Sequence, residues 1–106
     1  MQLIKKSERI LVITGAGISV SCGVSDFRSN TGLYRKLANE GIIPPEKVFD
    51  SEYFKKDPSL FFRYAKNILP SNLAPSLTHH FIATLEAKGK LLRNYTQNID
   101  TLETKV

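Results

Sequence analysis

The chain has 106 residues, of which 42% are hydrophobic and 24% charged. That is enough for one small domain with a core, too short for two, and too apolar for wholesale disorder. The net charge is +5, but no basic run exceeds two residues, so the cations read as a solvated surface and direct nucleic-acid binding is not expected. Mild positive charge also suits an anionic small molecule. The single cysteine, Cys22, can make neither a disulfide within the chain nor a four-ligand zinc site, and a reducing, intracellular compartment fits it best. No stretch is long enough to span a membrane. The apolar run at residues 10–13 is too short for a signal-peptide core, and the Asn94-Tyr95-Thr96 sequon reads as a chance match.

In chain order, residues 1–9 form a short amphipathic lead-in. Residues 10–13, Ile-Leu-Val-Ile, are a continuous and mostly β-branched run, the pattern of a parallel strand buried on both faces. Gly15-Ala16-Gly17 ends it, and residues 17–22 can open a helix. Residues 23–41 carry weak order, with turn formers Ser29, Asn30 and Gly32 and some helix over residues 34–39. Pro44-Pro45 is expected to block any helix and mark a connection. Residues 46–56 allow one or two helical turns.

Asp57-Pro58 predicts a helix start, with Phe61, Tyr64, Ala65 and Ile68 on one face and Pro70 as the stop. A second helix is predicted from Ser76, with Leu77, Phe81, Ile82 and Leu85 on one face and Lys88-Gly89 closing it. Residues 91–95 form the second strand, and Thr96-Gln97-Asn98-Ile99-Asp100 follows its carboxyl end. Both polar segments thus sit at the carboxyl ends of strands, where ligands bind in open α/β sheets.

Strand, Gly-Ala-Gly, helix is a turn that lets the backbone approach an anion closely. The match to known fingerprints is incomplete. G-x-G-x-x-G wants a third glycine where Val20 stands, and no Gly-Lys-Ser/Thr follows for a P-loop. The next strand lies far beyond a 30-residue βαβ unit. On these residues alone, phosphate binding and a merely tight structural turn both fit.

The stretches "GAGISVSCGVSDFRSNTGLY" and "LLRNYTQNID" resemble the sirtuin family, the NAD-dependent protein-lysine deacetylases, whose patterns are GAG-x-S, G-[IV]-P-D-F-R-S and T-Q-N-I-D. The intervening "FDSEYFKKDPSLFFRYAKNILP" and the segment from "SLTHHFIATLEAKGK" to "TQNIDTLE" resemble its nuclear, silent-information-regulator branch. The resemblance runs from about Arg9 to Glu103. It implies an α/β, partial Rossmann-like NAD-binding domain with a helical insertion, residues 1–106 being the N-terminal part of the catalytic domain.

The resemblance also implies roles. Gly15, Ala16 and Gly17 would hold the NAD pyrophosphate, and Ser19 would line the nicotinamide end. Asp26, Phe27 and Arg28 would form the cofactor loop, Phe27 shielding the reactive ribose and Arg28 lying near phosphate. Tyr34 would touch cofactor at the far end of the loop, or simply be a packed aromatic. Gln97, Asn98, Ile99 and Asp100 would line the nicotinamide and ribose pocket, Asn98 and Asp100 reading ribose and carboxamide. Outside this motif, Arg28 would be a surface arginine and Asn98-Ile99-Asp100 a helix N-cap.

The family's general base is a histidine in a His-Gly motif beyond T-Q-N-I-D. The only histidines here, His79 and His80, precede that motif, and His79 matches a structural helix position. The family's four zinc cysteines and its acetyl-lysine cleft have no counterpart, so zinc belongs to the complete domain and not to this chain. The expectation is therefore the NAD-binding half of a deacetylase acting on acetylated proteins such as histones, nuclear by branch or else cytoplasmic, and inactive alone. The alternative is a non-catalytic NAD-binding or interaction fragment. With two strands and six phenylalanines, the isolated chain is expected to leave apolar faces uncovered and to be marginally stable and aggregation-prone. Ser25 stands where the family has proline, which is expected to loosen the cofactor loop.

Overall fold

A computed structural model describes residues 1–68 and 72–106. Strand β1 (Ile10–Thr14) pairs in parallel with β2 (Leu91–Thr96), in register from Leu11 opposite Arg93 to Thr14 opposite Thr96, with one irregularity after Ile10. Among the described residues they make one two-stranded sheet. Side chains alternate along β1: Ile10 and Val12 are half-buried and Thr14 is buried, whereas Leu11 and Ile13 are 49% and 71% exposed. The strand expected to be buried on both faces is therefore covered on one only. The helix Leu77–Ala87 packs against β2, and the apolar residues on the opposite face of β1 have no equivalent cover among the described residues.

The lead-in is helix α1 (Gln2–Lys6), and the Lys90 ammonium donates to the carbonyls of Lys5 and Ser7 at its end, at 2.9 and 2.8 Å. The glycine turn leads into a four-residue helix α2 (Gly17–Val20). Between the strands lies the helical insertion: α3 (Leu33–Asn39), a 3-10 helix (Pro45–Phe49), α4 (Ser51–Lys56) and α5 (Ser59–Ile68). Its core is Leu33, Leu37, Val48, Leu60 and Tyr64. Pro45 does not block helix here. It opens the 3-10 helix, at a position where an N–H would have no partner anyway.

Asp50 caps α4 by accepting from the Tyr53 N–H at 2.6 Å. Asp57 accepts from the Ser59 N–H and hydroxyl at 3.0 and 2.6 Å, so α5 starts where Asp57-Pro58 predicts. Its buried face centres on Leu60 and Tyr64, with Phe61 and Ala65 half-buried. Phe62 is exposed and closes an aromatic trio, edge-on to Phe61 and tilted against Phe54. The expected stop at Pro70 lies outside the described residues, as does the Ile68 side chain.

Helix α6 (Leu77–Ala87) begins with a reciprocal cap. The Ser76 hydroxyl accepts from the His79 N–H, and His79 Nδ1 accepts from the Ser76 N–H at 3.1 Å. Because Nδ1 accepts, the imidazole carries its proton on Nε2. The buried stripe of α6 is His79, Ile82 and Leu85, whereas Leu77 and Phe81, expected on that face, are exposed. With Nδ1 satisfied in the cap, His79 takes the core position that an apolar pattern assigns elsewhere. Gly89, at φ +67°, ends the helix as its sequence position predicts.

Candidate functional site

The site forms where both strands end. Beyond Thr96, the Gln97 N–H donates to the Thr14 carbonyl at 3.2 Å, extending the ladder into the second polar segment. Asn98 then turns back across the sheet. Its Nδ2 donates to the Gly15 carbonyl at 3.0 Å and to the Ser19 hydroxyl at 3.4 Å, and its backbone N–H donates to Thr96 Oγ1 at 3.0 Å. These bonds join the glycine turn to Thr96–Asp100 across 83 residues of chain. Ser19 is fully buried, and Asp100 is buried with one carboxylate oxygen accepting from the Leu102 N–H at 3.0 Å. Asp100 thus holds the start of a 3-10 helix (Leu102–Lys105), a local capping role of the kind its motif permits without any ligand.

The facing wall is the loop through Asp26, Phe27 and Arg28. It is closed at its neck, the Leu33 N–H donating to the Asp26 carbonyl at 2.7 Å and the Tyr34 N–H to the Phe27 carbonyl at 3.0 Å. The Asp26 carboxylate accepts from the Ser29 hydroxyl at 2.6 Å and from its N–H at 2.9 Å. These bonds, the hydroxyl's first, hold the Asp26 carboxyl below its ordinary value of 3.8. A depressed value means that the ionised form is favoured in the folded loop. The contribution is therefore complete above the ordinary value and is lost as pH falls through the lower, folded one. A carbon-detected titration of Asp26 is expected to give a midpoint below 3.8; a midpoint at or above it would mean that the Ser29 bonds do not persist in solution.

Gly32 sits where a side chain cannot. A Cβ there would lie 2.8 Å from the Asp26 carbonyl oxygen, 2.9 Å from the Phe27 carbonyl carbon and 3.0 Å from the Arg28 nitrogen. By contrast a Cβ at Gly17 would meet nothing within 4 Å, which leaves that side of the turn open to a ligand. Phe27 packs with Tyr34 and Phe49, ring centres 5.7 Å from each.

Between loop and sheet ends runs a cleft of about 530 Å³, lined by Gly15, Ala16, Asp26, Phe27, Arg28, Tyr34, Phe49, Gln97, Asn98 and Ile99. A second cavity of about 380 Å³ adjoins it, sharing Ala16, Phe27, Asn98 and Ile99 and adding Asp100, Ser25, Lys36 and Tyr64. Both volumes lie in the range of small-molecule sites. Nine of the twelve residues singled out from sequence line the larger cleft. Asp100 lines the smaller, Ser19 lies beneath under Asn98, and Gly17 opens α2. Phe49 is a wall residue that the sequence does not single out, because nothing in its local pattern separates it from the chain's other phenylalanines. Neither His79 nor His80 lines either space. Among the described residues no group of three His, Cys, Asp or Glu side chains could hold a metal ion, and no helix is long and apolar enough to cross a membrane.

Fold and cleft together define an α/β protein with a cleft at the carboxyl ends of parallel strands, lined on its other side by the inserted helical unit. The sequence model of the Sir2 family matches residues 15–106. The chain belongs to the Sir2 family. It is 55% identical over 105 residues to the NAD-dependent histone deacetylase sirtuin-1 of Drosophila melanogaster, covering 97% of this chain and 13% of that protein. It is 54% identical over 105 residues to the NAD-dependent protein deacetylase sirtuin-1 of Homo sapiens, covering 97% of this chain and 14% of that protein. The chain thus spans about a seventh of the length of these relatives. A solved structure described as "Structural Basis for the Mechanism and Regulation of Sir2 Enzymes" superposes with a TM-score of 0.79 at 35% identity, covering 97% of this chain and 39% of that one.

Proposed function

We propose that this chain carries the NAD-binding half of an NAD-dependent protein-lysine deacetylase. The observation that carries the reading is the cross-sheet bonding of Asn98 to Gly15 and Ser19. It unites two motifs far apart in sequence around one cleft. The names of the relatives supply the NAD dependence and the protein and histone substrates, and the histone substrate in one of those names supports a nuclear rather than a cytoplasmic location.

The residues present fit NAD. The larger cleft has the volume of a small-molecule site, and its lining includes Gly15 and Ala16 of the glycine turn together with Arg28 and Asn98. Gly15, Ala16 and Gly17 would let a pyrophosphate approach the main chain. Arg28 would supply a cation for phosphate. With Nδ2 of Asn98 bonded to the protein, its Oδ1 is the atom that would accept from a carboxamide. Phe27, backed by Tyr34 and Phe49, would keep water from the reactive end. When bound, NAD supplies the ADP-ribosyl group that takes the acetyl from lysine as nicotinamide leaves. Both histidines lie outside the cleft, so the chain's residues bind, orient and exclude water, and no proton-transfer step is assigned to them. That observation favours the second reading, a non-catalytic NAD-binding fragment, for the chain by itself.

The test is to titrate the purified chain with NAD and, separately, to follow nicotinamide release with an acetyl-lysine peptide. Binding without turnover is the expected result. Turnover would show that a general base is present in this chain, and absence of binding would overturn the NAD reading for it.

Ser25→Pro bears on the same loop. Ser25 Oγ accepts from Lys36 Nζ at 2.9 Å in an exposed bond. Proline forfeits that bond but restricts the unbound loop, worth about 0.4–1 kcal/mol where the backbone accepts it. In a longer family chain containing this segment, NAD affinity is expected to rise by at most about five-fold. No rise would show that loop entropy does not limit binding.

A further inference from the structure

We infer that Glu103 is a positioning residue for the ligand-facing end of the sheet. Thr14 and Thr96 are the last cross-strand partners of the ladder. Their hydroxyls converge on one oxygen: Thr14 Oγ1 donates to Glu103 Oε1 at 3.3 Å, and Thr96 Oγ1 donates to the same atom at 2.7 Å. One carboxylate therefore clamps both strands where they enter the site.

The clamp also fixes a direction. A hydroxyl has one proton, and a carboxylate accepts only, so Thr96 must direct its proton to Glu103. Its lone pairs are then left to accept, and they take the Asn98 N–H at 3.0 Å. The chain Asn98 N–H to Thr96 hydroxyl to Glu103 carboxylate is charge-assisted at its far end, and each bond polarises the next. Asn98 is the residue whose side chain crosses to Gly15 and Ser19. Glu103 itself lines neither the cleft nor the adjoining cavity, so it acts through Thr96.

Its placement is built rather than incidental. Leu102 is fully buried, its N–H is held by Asp100, and Thr101 turns the chain at φ +61°. These anchors aim the next side chain back at the strand ends.

The inference rests on the NAD reading for its functional effect, and the experiment separates the two. The purified chain is compared with Glu103→Ala, Glu103→Gln, Thr96→Val and the Glu103→Ala/Thr96→Val double variant. The readouts are the Asn98 backbone amide resonance and NAD affinity by calorimetry. Glu103→Ala and Thr96→Val are each expected to shift the Asn98 resonance and to weaken NAD about ten-fold, the scale of one charge-assisted hydrogen bond. The double variant is expected to be no weaker than the worse single one, because the two residues act as one unit. Glu103→Gln keeps an acceptor oxygen without the charge and should fall between the unaltered chain and Glu103→Ala, which also guards against misfolding of the alanine variant. An unmoved Asn98 resonance in Glu103→Ala, or additive losses in the double variant, would overturn the inference. If the unaltered chain does not bind NAD, the NAD reading fails while the Asn98 resonance still decides the role of Glu103.

Discussion

Gly32→Ala is expected to weaken NAD binding by at least about ten-fold while leaving the helical content of the chain nearly unchanged. The cause is contact and not dihedral freedom. Gly32 has φ −71° and ψ 173°, values that any residue adopts. What a methyl group cannot do is occupy space already filled by the backbone of Asp26, Phe27 and Arg28, each within 3.0 Å of the added Cβ. Main-chain atoms do not swing aside as a flexible side chain does. The loop must therefore shift by several tenths of an ångström, carrying Phe27 and Arg28 with it and straining the neck bonds from Leu33 and Tyr34. Displacement of about 1 Å in a positioning group can cost as much as a hundred-fold, so a smaller shift carries a smaller but measurable loss. Calorimetric titration with NAD and far-ultraviolet circular dichroism on the two chains check it. Unchanged affinity would mean that the loop wall is not part of the NAD site.

Leu37→Ala is expected to destabilise the chain by about 2–5 kcal/mol, the range for emptying a packed leucine site. Leu37 has no exposed surface and sits at the centre of the insertion core, between Leu33, Val48, Leu60 and Tyr64. The elements around it are short, and α3 and α4 have only seven and six residues. Helices of that length do not persist on their own, so the core is what keeps them folded. Leu33, Leu37 and Tyr64 also line the smaller cavity, so the same substitution enlarges that cavity. Urea unfolding followed by circular dichroism checks the stability loss. A loss under about 1 kcal/mol would show that the insertion re-packs around the void.

The features legible from sequence are those set by local chemistry. Asp57-Pro58 marks the start of α5, Ser76 the start of α6 and Gly89 its end, because a cap or a positive φ involves only a few neighbouring residues. The glycine turn and T-Q-N-I-D are legible because the motifs lie directly after apolar strand runs. Other features depend on partners far away in the chain. Leu11 and Ile13 have the composition of buried strand residues, yet exposure is decided by whether another element covers them. Leu77 and Phe81 suit the buried face of α6 only while apolar residues alone are counted, which passes over a histidine whose Nδ1 is satisfied in a cap. Pro45 resembles a block because the first-turn exception depends on the chain direction that Pro44 sets. Within the site, Phe49 enters through the tertiary path of the insertion, and Glu103 reaches Thr14 across 89 residues, a span that no short motif encodes.

The bond from Asn98 to Gly15 has a consequence for the order in which the molecule assembles. The insertion core draws only on residues 33–64, so it can collapse with short loops. Joining the two strands instead closes a loop of 83 residues, an entropic cost of about 4 kcal/mol beyond the constant term. Pairing of the strands is therefore expected to follow collapse of the insertion. A ligand that touches the glycine turn and Asn98 together binds only after closure. At about a hundred times its Kd it would contribute about 2.7 kcal/mol to the closed form, against about 4 kcal/mol for the length-dependent part of the closure cost. The cleft is thus a seam that a ligand bound across it would help to hold shut.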